Sequence, residues 1–210
     1  TPGEALRSLF AAERPLVRAH AVDLFLEALA PLGVEPRGRE LELRLPSSGA
    51  ALGAIASDRP LAGLAPGARW ATKRWAPQGF GDVARGLAAR GFTPLLVGGP
   101  GDAAEFAQVR AAAPELVFED TAGLDVQGLA LAIARCRVLV ANDSGPVHVA
   151  SALGVPVVAV FGPTSPVRWR PLSPRSEVVT AGLPCSPCSN HGGERRSEER
   201  RVGKECEDLC

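Results

Sequence analysis

Short apolar runs, separated by segments with helical periodicity, constrain the fold more than any other feature of the sequence. Runs such as VLVA (138–141) and VPVVAVF (155–161) contain almost nothing but aliphatic side chains, which is typical of strands covered on both faces of a sheet. The segments between the runs, such as GFGDVARGLAARG (79–91), place apolar residues on one helical face. Strands that alternate with helices indicate βαβ units. We therefore predict an α/β fold with a Rossmann-like, doubly wound parallel sheet over residues 58–182.

The individual elements of this domain are predicted from the same periodicities. Strands are expected over 61–66, 92–99, 116–120, 138–142 and 155–162, and helices over 79–91, 102–114, 124–136 and 146–154. Residues 1–57 are predicted to be an interdomain segment and the remnant of an N-terminal half. This segment contains a helical pattern within 14–36 and an alternating run, ELELRLP (40–46), that predicts a half-buried or edge strand.

The remaining residues, 183–210, form a tail that contains most of the cysteines. Four of the five cysteines lie there, and the fifth, Cys136, lies in an apolar segment. From about residue 196 the charge density rises sharply, and RSEERRVGKEC resembles a translated sequencing-library adapter. We therefore expect the residues from about 196 onward not to be native, the alternative being a genuine solvated tail.

Composition excludes several classes of function. The formal net charge is zero, so no overall basic field attracts nucleic acid. No apolar run approaches the length of a membrane-spanning helix, and no signal peptide is visible. An odd number of cysteines without an export signal suits a reducing cytoplasm. The sequence contains no methionine, so we expect it to be a fragment with sequence missing upstream.

Glycine-rich turns follow several of the predicted strands. They read APGARW, VGGPGD, ANDSGP and FGPTSP. Ligands of open parallel sheets bind outside the carboxyl ends of the strands, which is where these turns fall. The sequence therefore predicts a ligand site at this edge of the sheet.

The turn NDSG has the features of an anion seat. Gly145 permits close approach of the backbone, Ser144 supplies a hydroxyl, and the following helix presents its N-terminal end. His148 lies about one turn into that helix and can point back at the same anion. Asp143 can accept from a sugar hydroxyl or orient His148. In the alternative interpretation, Asp143 or Ser144 merely caps the helix and His148 packs on the sheet.

Two further segments supply charged residues at the same edge. Lys73 and Arg74 follow the first strand, and either can pair with diphosphate oxygens; the alternative is a solvated basic turn. Asp102, in VGGPGD, either caps the next helix or binds a ribose hydroxyl, and capping is the favoured role.

Three stretches, PGARWATKRW, LLVGGPGD and ANDSGPVHVASALGVPVVAVFGPTSP, resemble the family 9 glycosyltransferases, the lipopolysaccharide heptosyltransferases. The resemblance runs from about His20 to Cys188. It implies the C-terminal, donor-binding half of a GT-B glycosyltransferase that uses a nucleotide-diphosphate sugar, usually ADP-heptose, and inverts the anomeric centre. By resemblance, Lys73 lies at the donor phosphates and Asp102 near the nucleoside. The donor-binding loop and helix start then correspond to Asp143, Ser144, Gly145 and His148.

The resemblance also implies what lies outside this sequence. The family's general base, an Asp in the N-terminal domain, has no counterpart here, so this half is expected to be inactive alone. The expected partners are a nucleotide-sugar donor and a lipopolysaccharide-type acceptor, with a cytoplasmic location and possible peripheral association with the inner membrane. No cofactor is expected.

Two alternatives to a transferase remain open: a non-catalytic nucleotide- or sugar-phosphate-binding module, and an epimerase of similar fold. The tail motif LPCSPC resembles the family's C-terminal Cys-x-x-Cys, to which Cys206 and Cys210 could add a four-thiolate site. We predict no metal, because those two cysteines fall in the segment expected to be non-native.

Overall fold

A computed structural model describes residues 19–45, 55, 57–183 and 186–189. Its centre is a parallel sheet of six strands in the order β3-β2-β1-β4-β5-β6. The strands are β1 Leu61–Ala65, β2 Thr93–Leu96, β3 Glu119–Asp120, β4 Cys136–Asn142, β5 Val157–Phe161 and β6 Ser176–Thr180. The predicted doubly wound parallel sheet is confirmed.

Helices cover both faces of this sheet. They are α1 Ala21–Leu29, α2 Pro77–Ala88, α3 Ala103–Ala112, α4 Val126–Arg135, α5 Gly145–Ala152 and α6 Pro166–Trp169. Successive strand residues point to opposite faces, so Leu95 packs in one core cluster and Leu96 in the other. The first cluster includes Ile133 of α4 and Val147 of α5, and the second includes Phe80 of α2. Burial on both faces explains why the strands read as continuous apolar runs.

The strand order creates a switch point between β1 and β4. From β1 the chain moves outward through β2 to β3, then returns to β4 on the other side of β1 and continues outward to β6. The connections that leave β1 and β4 therefore diverge, and a crevice opens between them at their carboxyl ends. The turns after these two strands, 66–75 and 143–144, form this crevice.

The predicted strand at ELELRLP is wrong. Residues 40–45 have no regular structure, and Leu43 is 40% exposed. An alternating pattern forms a strand only where a neighbour supplies hydrogen-bond partners. The six described strands pair only with one another, so this segment has no such neighbour among them.

The other differences concern element boundaries. The helix predicted within 14–36 is the shorter α1, which is followed by a 3-10 turn, Ala30–Leu32, and ends at Gly33 with a φ of 72°; residues before 19 lie outside the described part. The strand predicted over 116–120 is reduced to the two residues of β3. Strand β6 was not predicted, because SEVVT is a mixed edge strand without an apolar run.

Little of the tail is described. Residues 186–189 lie against the loop after β5: the N–H groups of Cys188 and Ser189 both donate to the carbonyl of Pro163, at 2.8 and 2.9 Å. Cys185, Cys206, Cys210 and the segment from about 196 lie outside the described residues. The three-part division of the chain stays a prediction. No described helix combines the length and apolar character needed to cross a membrane.

Candidate functional site

Lys73 and Asp143 form an ion pair in the crevice between β1 and β4. The Lys73 Nζ lies 2.7 Å from Asp143 Oδ2, and the two side chains are only 13% and 5% exposed. The Thr164 hydroxyl, in the loop after β5, donates to the same carboxylate oxygen at 2.6 Å. A buried carboxylate needs such partners to remain ionised. Asp143 therefore holds the Lys73 ammonium at the mouth of the crevice.

Asn142, the last residue of β4, joins the two sides of the switch point. Its side chain is fully buried. The amide nitrogen donates to the carbonyl of Pro66 at 2.7 Å, and the amide oxygen accepts from the Trp75 N–H at 3.0 Å. Sequence reasoning missed this residue, although a polar side chain that ends a buried apolar strand signals a hydrogen-bonding role.

The turn after β1 separates the two basic residues that the sequence left as alternatives. Lys73 ends a 3-10 turn, Ala71–Lys73, and faces Asp143. Arg74 instead contacts Glu105 of α3, with an Nη1–Oε1 distance of 2.6 Å, and its Nε donates to the carbonyl of Ala68 at 3.0 Å. Arg74 therefore fastens the turn to α3, and Lys73 is the cation at the switch point.

The start of α5 offers few backbone N–H groups to a ligand. A Cβ placed on Gly145 would meet nothing within 4 Å, so its backbone is open to a ligand. Pro146 has no N–H, and the Val147 N–H donates to the carbonyl of Ser144 at 3.2 Å. The Ser144 hydroxyl turns back to the carbonyl of Asn142 at 3.1 Å and does not cap the helix. The exposed Gly145 is therefore the residue of this turn whose backbone a ligand could approach most directly.

His148 is half-buried within electrostatic reach of the ion pair. Burial lowers its pKa below the ordinary value of 6.5; Asp143 opposes this shift, and His20 and Lys73 add to it. The imidazole is therefore neutral at pH 7. A positive charge on His148, which would favour an anion, is present only below its ordinary titration range.

His20 is a second histidine of this region that sequence reasoning did not select. It is buried and stands at the start of α1. Its Nδ1 accepts from the Val22 N–H at 3.2 Å, and its Nε2 lies 2.9 Å from the carbonyl of Arg170. Since a carbonyl only accepts, Nε2 carries the proton. His20 thus caps α1 and fastens it beside α6.

Asp102 lies between the turns after β1 and β2. Its Oδ2 accepts from the Gly99 N–H at 2.9 Å, which closes the start of the turn that leads into α3. A Cβ on Gly67 would come within 2.1 Å of Oδ1, and a Cβ on Gly98 within 2.5 Å of Oδ2. Both glycines therefore make room for this carboxylate. Asp102 occupies the N-cap position of α3, but its side chain makes no capping hydrogen bond to that helix and instead closes the 3-10 turn before it. Its contact with a nucleoside stays a prediction.

No metal-binding group is apparent in the part of the chain that the structure describes: no three His, Cys, Asp or Glu side chains come together. Cys136 is buried, and burial raises the pKa of its thiol to about 12. Such a thiol stays protonated and is a poor nucleophile or ligand.

Comparison with known proteins identifies the family of this chain. The sequence profile of glycosyltransferase family 9 (heptosyltransferase) matches residues 5–196. Lipooligosaccharide heptosyltransferase 2 of Haemophilus influenzae is 33% identical over 131 residues, which cover 60% of this chain and 38% of that protein. Lipopolysaccharide heptosyltransferase 2 of Salmonella typhimurium is 35% identical over 130 residues, which cover 60% of this chain and 37% of that protein.

Solved structures agree. The E. coli ADP-heptose lps heptosyltransferase II matches with a TM-score of 0.61 and 29% identity over 69% of this chain and 47% of that one. The family 9 glycosyltransferase of Veillonella parvula matches with a TM-score of 0.66 and 28% identity, over 80% of this chain and 51% of that one. E. coli heptosyltransferase WaaC, solved with ADP, shares the fold at 23% identity, with a TM-score of 0.60 over 84% and 54%. The prediction of a GT-B glycosyltransferase half is confirmed, and the chain spans about half of these structures or less.

Proposed function

Because the chain belongs to glycosyltransferase family 9, the heptosyltransferase family, we propose that its crevice binds the donor of a heptosyltransferase reaction. The observation that carries this proposal is the Lys73–Asp143 pair, at 2.7 Å, beside the open backbone of Gly145. A fixed ammonium together with the exposed start of a helix would form a seat for an anionic group. The donor residues are Lys73, Asp102, Asp143, Ser144, Gly145 and His148.

Lys73 can serve Asp143 and a diphosphate at the same time. An ammonium group has three N–H donors, and the contact with Asp143 uses one of them. The remaining donors can face the crevice, where a diphosphate would approach the Gly145 amide. Thr164 donates to Asp143 at 2.6 Å, which leaves the carboxylate in place while the ammonium binds a second anion.

The proposed reaction is a direct displacement at the anomeric carbon of the donor sugar. An acceptor hydroxyl forms the new glycosidic bond as the bond to the diphosphate oxygen breaks, and the configuration inverts. The departing diphosphate takes the electron pair, and Lys73 and the Gly145 amide stabilise that charge. We propose that the general base, which takes the hydroxyl proton, is an acidic residue of an N-terminal half that faces this domain.

We propose ADP-heptose as the donor and a lipopolysaccharide core-type molecule as the acceptor. The name of one relative, ADP-heptose lps heptosyltransferase II of E. coli, supports the proposed donor. In this scheme Asp102, between the turns after β1 and β2, accepts from a hydroxyl of the nucleoside. A lipid-linked acceptor would bring the enzyme to the cytoplasmic face of the inner membrane as a peripheral protein.

A donor and acceptor screen on the full-length protein tests this proposal. Calorimetry should detect ADP-heptose and ADP, with much weaker binding of UDP and GDP. Transfer of heptose should require the lipopolysaccharide core acceptor. Binding without transfer would favour a sugar-phosphate-binding module instead, and acceptor-independent change of the sugar would favour an epimerase.

A further inference from the structure

The turn that carries Lys73 is held to β4 by one side chain. Asn142 donates to Pro66, directly after β1, and accepts from Trp75, two residues after Lys73. It thus forms a hydrogen bond with the turn at each of its two ends. Asn142 is also the residue before Asp143, the partner of Lys73. One buried amide therefore links the backbone on either side of the ion pair.

An amide is well suited to this position. One contact needs a donor, because the Pro66 carbonyl only accepts, and the other needs an acceptor, because the Trp75 N–H only donates. Asparagine supplies both from adjacent atoms on a short side chain. A carboxylate would place an acceptor 2.7 Å from another acceptor, and an aliphatic side chain would leave two buried backbone groups without partners.

We propose that Asn142 is a positioning residue, which sets the place of the Lys73 ammonium relative to Asp143 and hence to the donor diphosphate. The hydrogen bonds described for its side chain are to Pro66 and Trp75, and in this scheme it does not contact the donor. Its effect passes through the turn at 66–75, which it holds in register with the end of β4. This inference rests on the proposed function of Lys73 as the cation that binds the diphosphate.

A double-mutant cycle in the full-length protein separates positioning from simple stabilisation. We would measure ADP and adenosine affinity for Asn142→Asp and Asn142→Ser, each alone and combined with Lys73→Ala. Thr121→Val is the matched control: Thr121 is also fully buried, and its hydroxyl holds Gly98 in the turn after β2 by accepting from the Gly98 N–H at 2.9 Å and donating to its carbonyl at 2.8 Å.

The expected result is selective and non-additive. The Asn142 substitutions should weaken ADP about tenfold, the scale of one lost hydrogen bond to a charged group, and change adenosine by less than about twofold. In the Lys73→Ala background they should weaken ADP binding no further. Thr121→Val should change ADP affinity by the same factor with and without Lys73. Equal losses for ADP and adenosine, or equal losses with and without Lys73, would overturn the positioning role.

A second measurement distinguishes failure of this inference from failure of the donor assignment. If Lys73→Ala leaves ADP affinity unchanged, the proposed diphosphate site is wrong, but the same cycle can be read in the free energy of unfolding. Asn142 and Lys73 should still be coupled there, because a displaced turn weakens the ion pair; zero coupling would refute the link. If the variants do not fold, hydrogen exchange of the Trp75 N–H in the native protein tests the inference. We expect this N–H to exchange as slowly as those of β4. Fast exchange would contradict a stable hydrogen bond between Trp75 and Asn142.

Discussion

Lys73 and Asp143 meet at 2.7 Å although they follow different strands of the sheet. Asp143 directly follows β4, whereas Lys73 lies in the turn after β1, and β1 and β4 are neighbours at the switch point. The pair is buried, so removing either partner would leave the other charge buried without a counter-charge. The two residues that we propose for donor binding therefore also contribute to the stability of the fold.

The first prediction concerns Lys73 as a phosphate contact. Lys73→Ala should weaken ADP binding by about 1.5–3 kcal/mol, the range for a hydrogen bond to a charged group, and should barely change adenosine binding. Calorimetry on the full-length protein measures both. Equal losses for the two ligands would place Lys73 away from the phosphates.

The second prediction concerns the ion pair in the free protein. Asp143→Asn keeps the shape of the side chain but leaves the Lys73 ammonium without its carboxylate. The free energy of unfolding should fall by about 2–3 kcal/mol, less than for a fully buried pair because Lys73 keeps some contact with solvent. Denaturant unfolding measures this loss.

The control for that experiment is an ion pair on the surface. Arg85 contacts Glu115 at 2.5 Å, with both side chains about half exposed. Glu115→Gln should leave stability nearly unchanged, because solvent screens exposed pairs. If Asp143→Asn were equally harmless, the Lys73–Asp143 contact would not be a structural element of the crevice.

The fold was predictable because its signal is local, whereas the pairing within the site was not. Apolar runs such as that of β4 identify a covered parallel strand without knowledge of its neighbours. By contrast, Lys73 and Asp143 were each selected as ligand contacts, but their mutual contact depends on β1 lying beside β4, and strand order leaves no mark on periodicity. Asn142 was missed for the same reason, since both its partners lie beyond the end of β1.

One wrongly predicted strand and one missed strand show the limits of predicting strands from local sequence pattern. Residues 40–45 alternate well but have no adjacent strand in the described part of the chain. Strand β6 has a weak pattern but pairs along its whole length with β5. A strand is thus decided by its neighbour as much as by its own side chains.

The third prediction uses the two ends of α5. Gly145, at its start, has open space where a side chain would stand, so Gly145→Val should abolish ADP binding by blocking the amide without lowering the melting temperature. Gly154, just beyond its end, has a φ of +69°. Gly154→Ala should cost about 1–2 kcal/mol of stability and leave ADP affinity unchanged. A stability loss with unaltered affinity in the Gly145 variant would make this turn structural only.

The fourth prediction concerns the pH dependence that His148 confers on stability. Burial lowers the pKa of His148 in the folded protein, so the unfolded chain takes up a proton first as the pH falls. Its neutral form therefore stabilises the fold fully above about pH 6.5, the unfolded value, and this contribution is lost as the pH falls toward the lowered folded value. His148→Gln should lack that part of the slope when denaturant unfolding is measured between pH 7.5 and about 5.

The same titration should appear, with the opposite sign, in ligand binding. Asp143, Lys73 and His20 are the charged or titratable groups that shift the pKa of His148, and a bound diphosphate would add negative charge beside them and raise that pKa. Below about pH 6.5, ADP binding should then be accompanied by proton uptake and should become tighter than in His148→Gln. The comparison with this variant cancels the titration of ADP itself. Calorimetry in buffers of different ionisation enthalpy measures the proton uptake. Identical uptake in the native protein and the variant would show that His148 packs beside the site without sensing the ligand, and would remove it from the donor-binding residues.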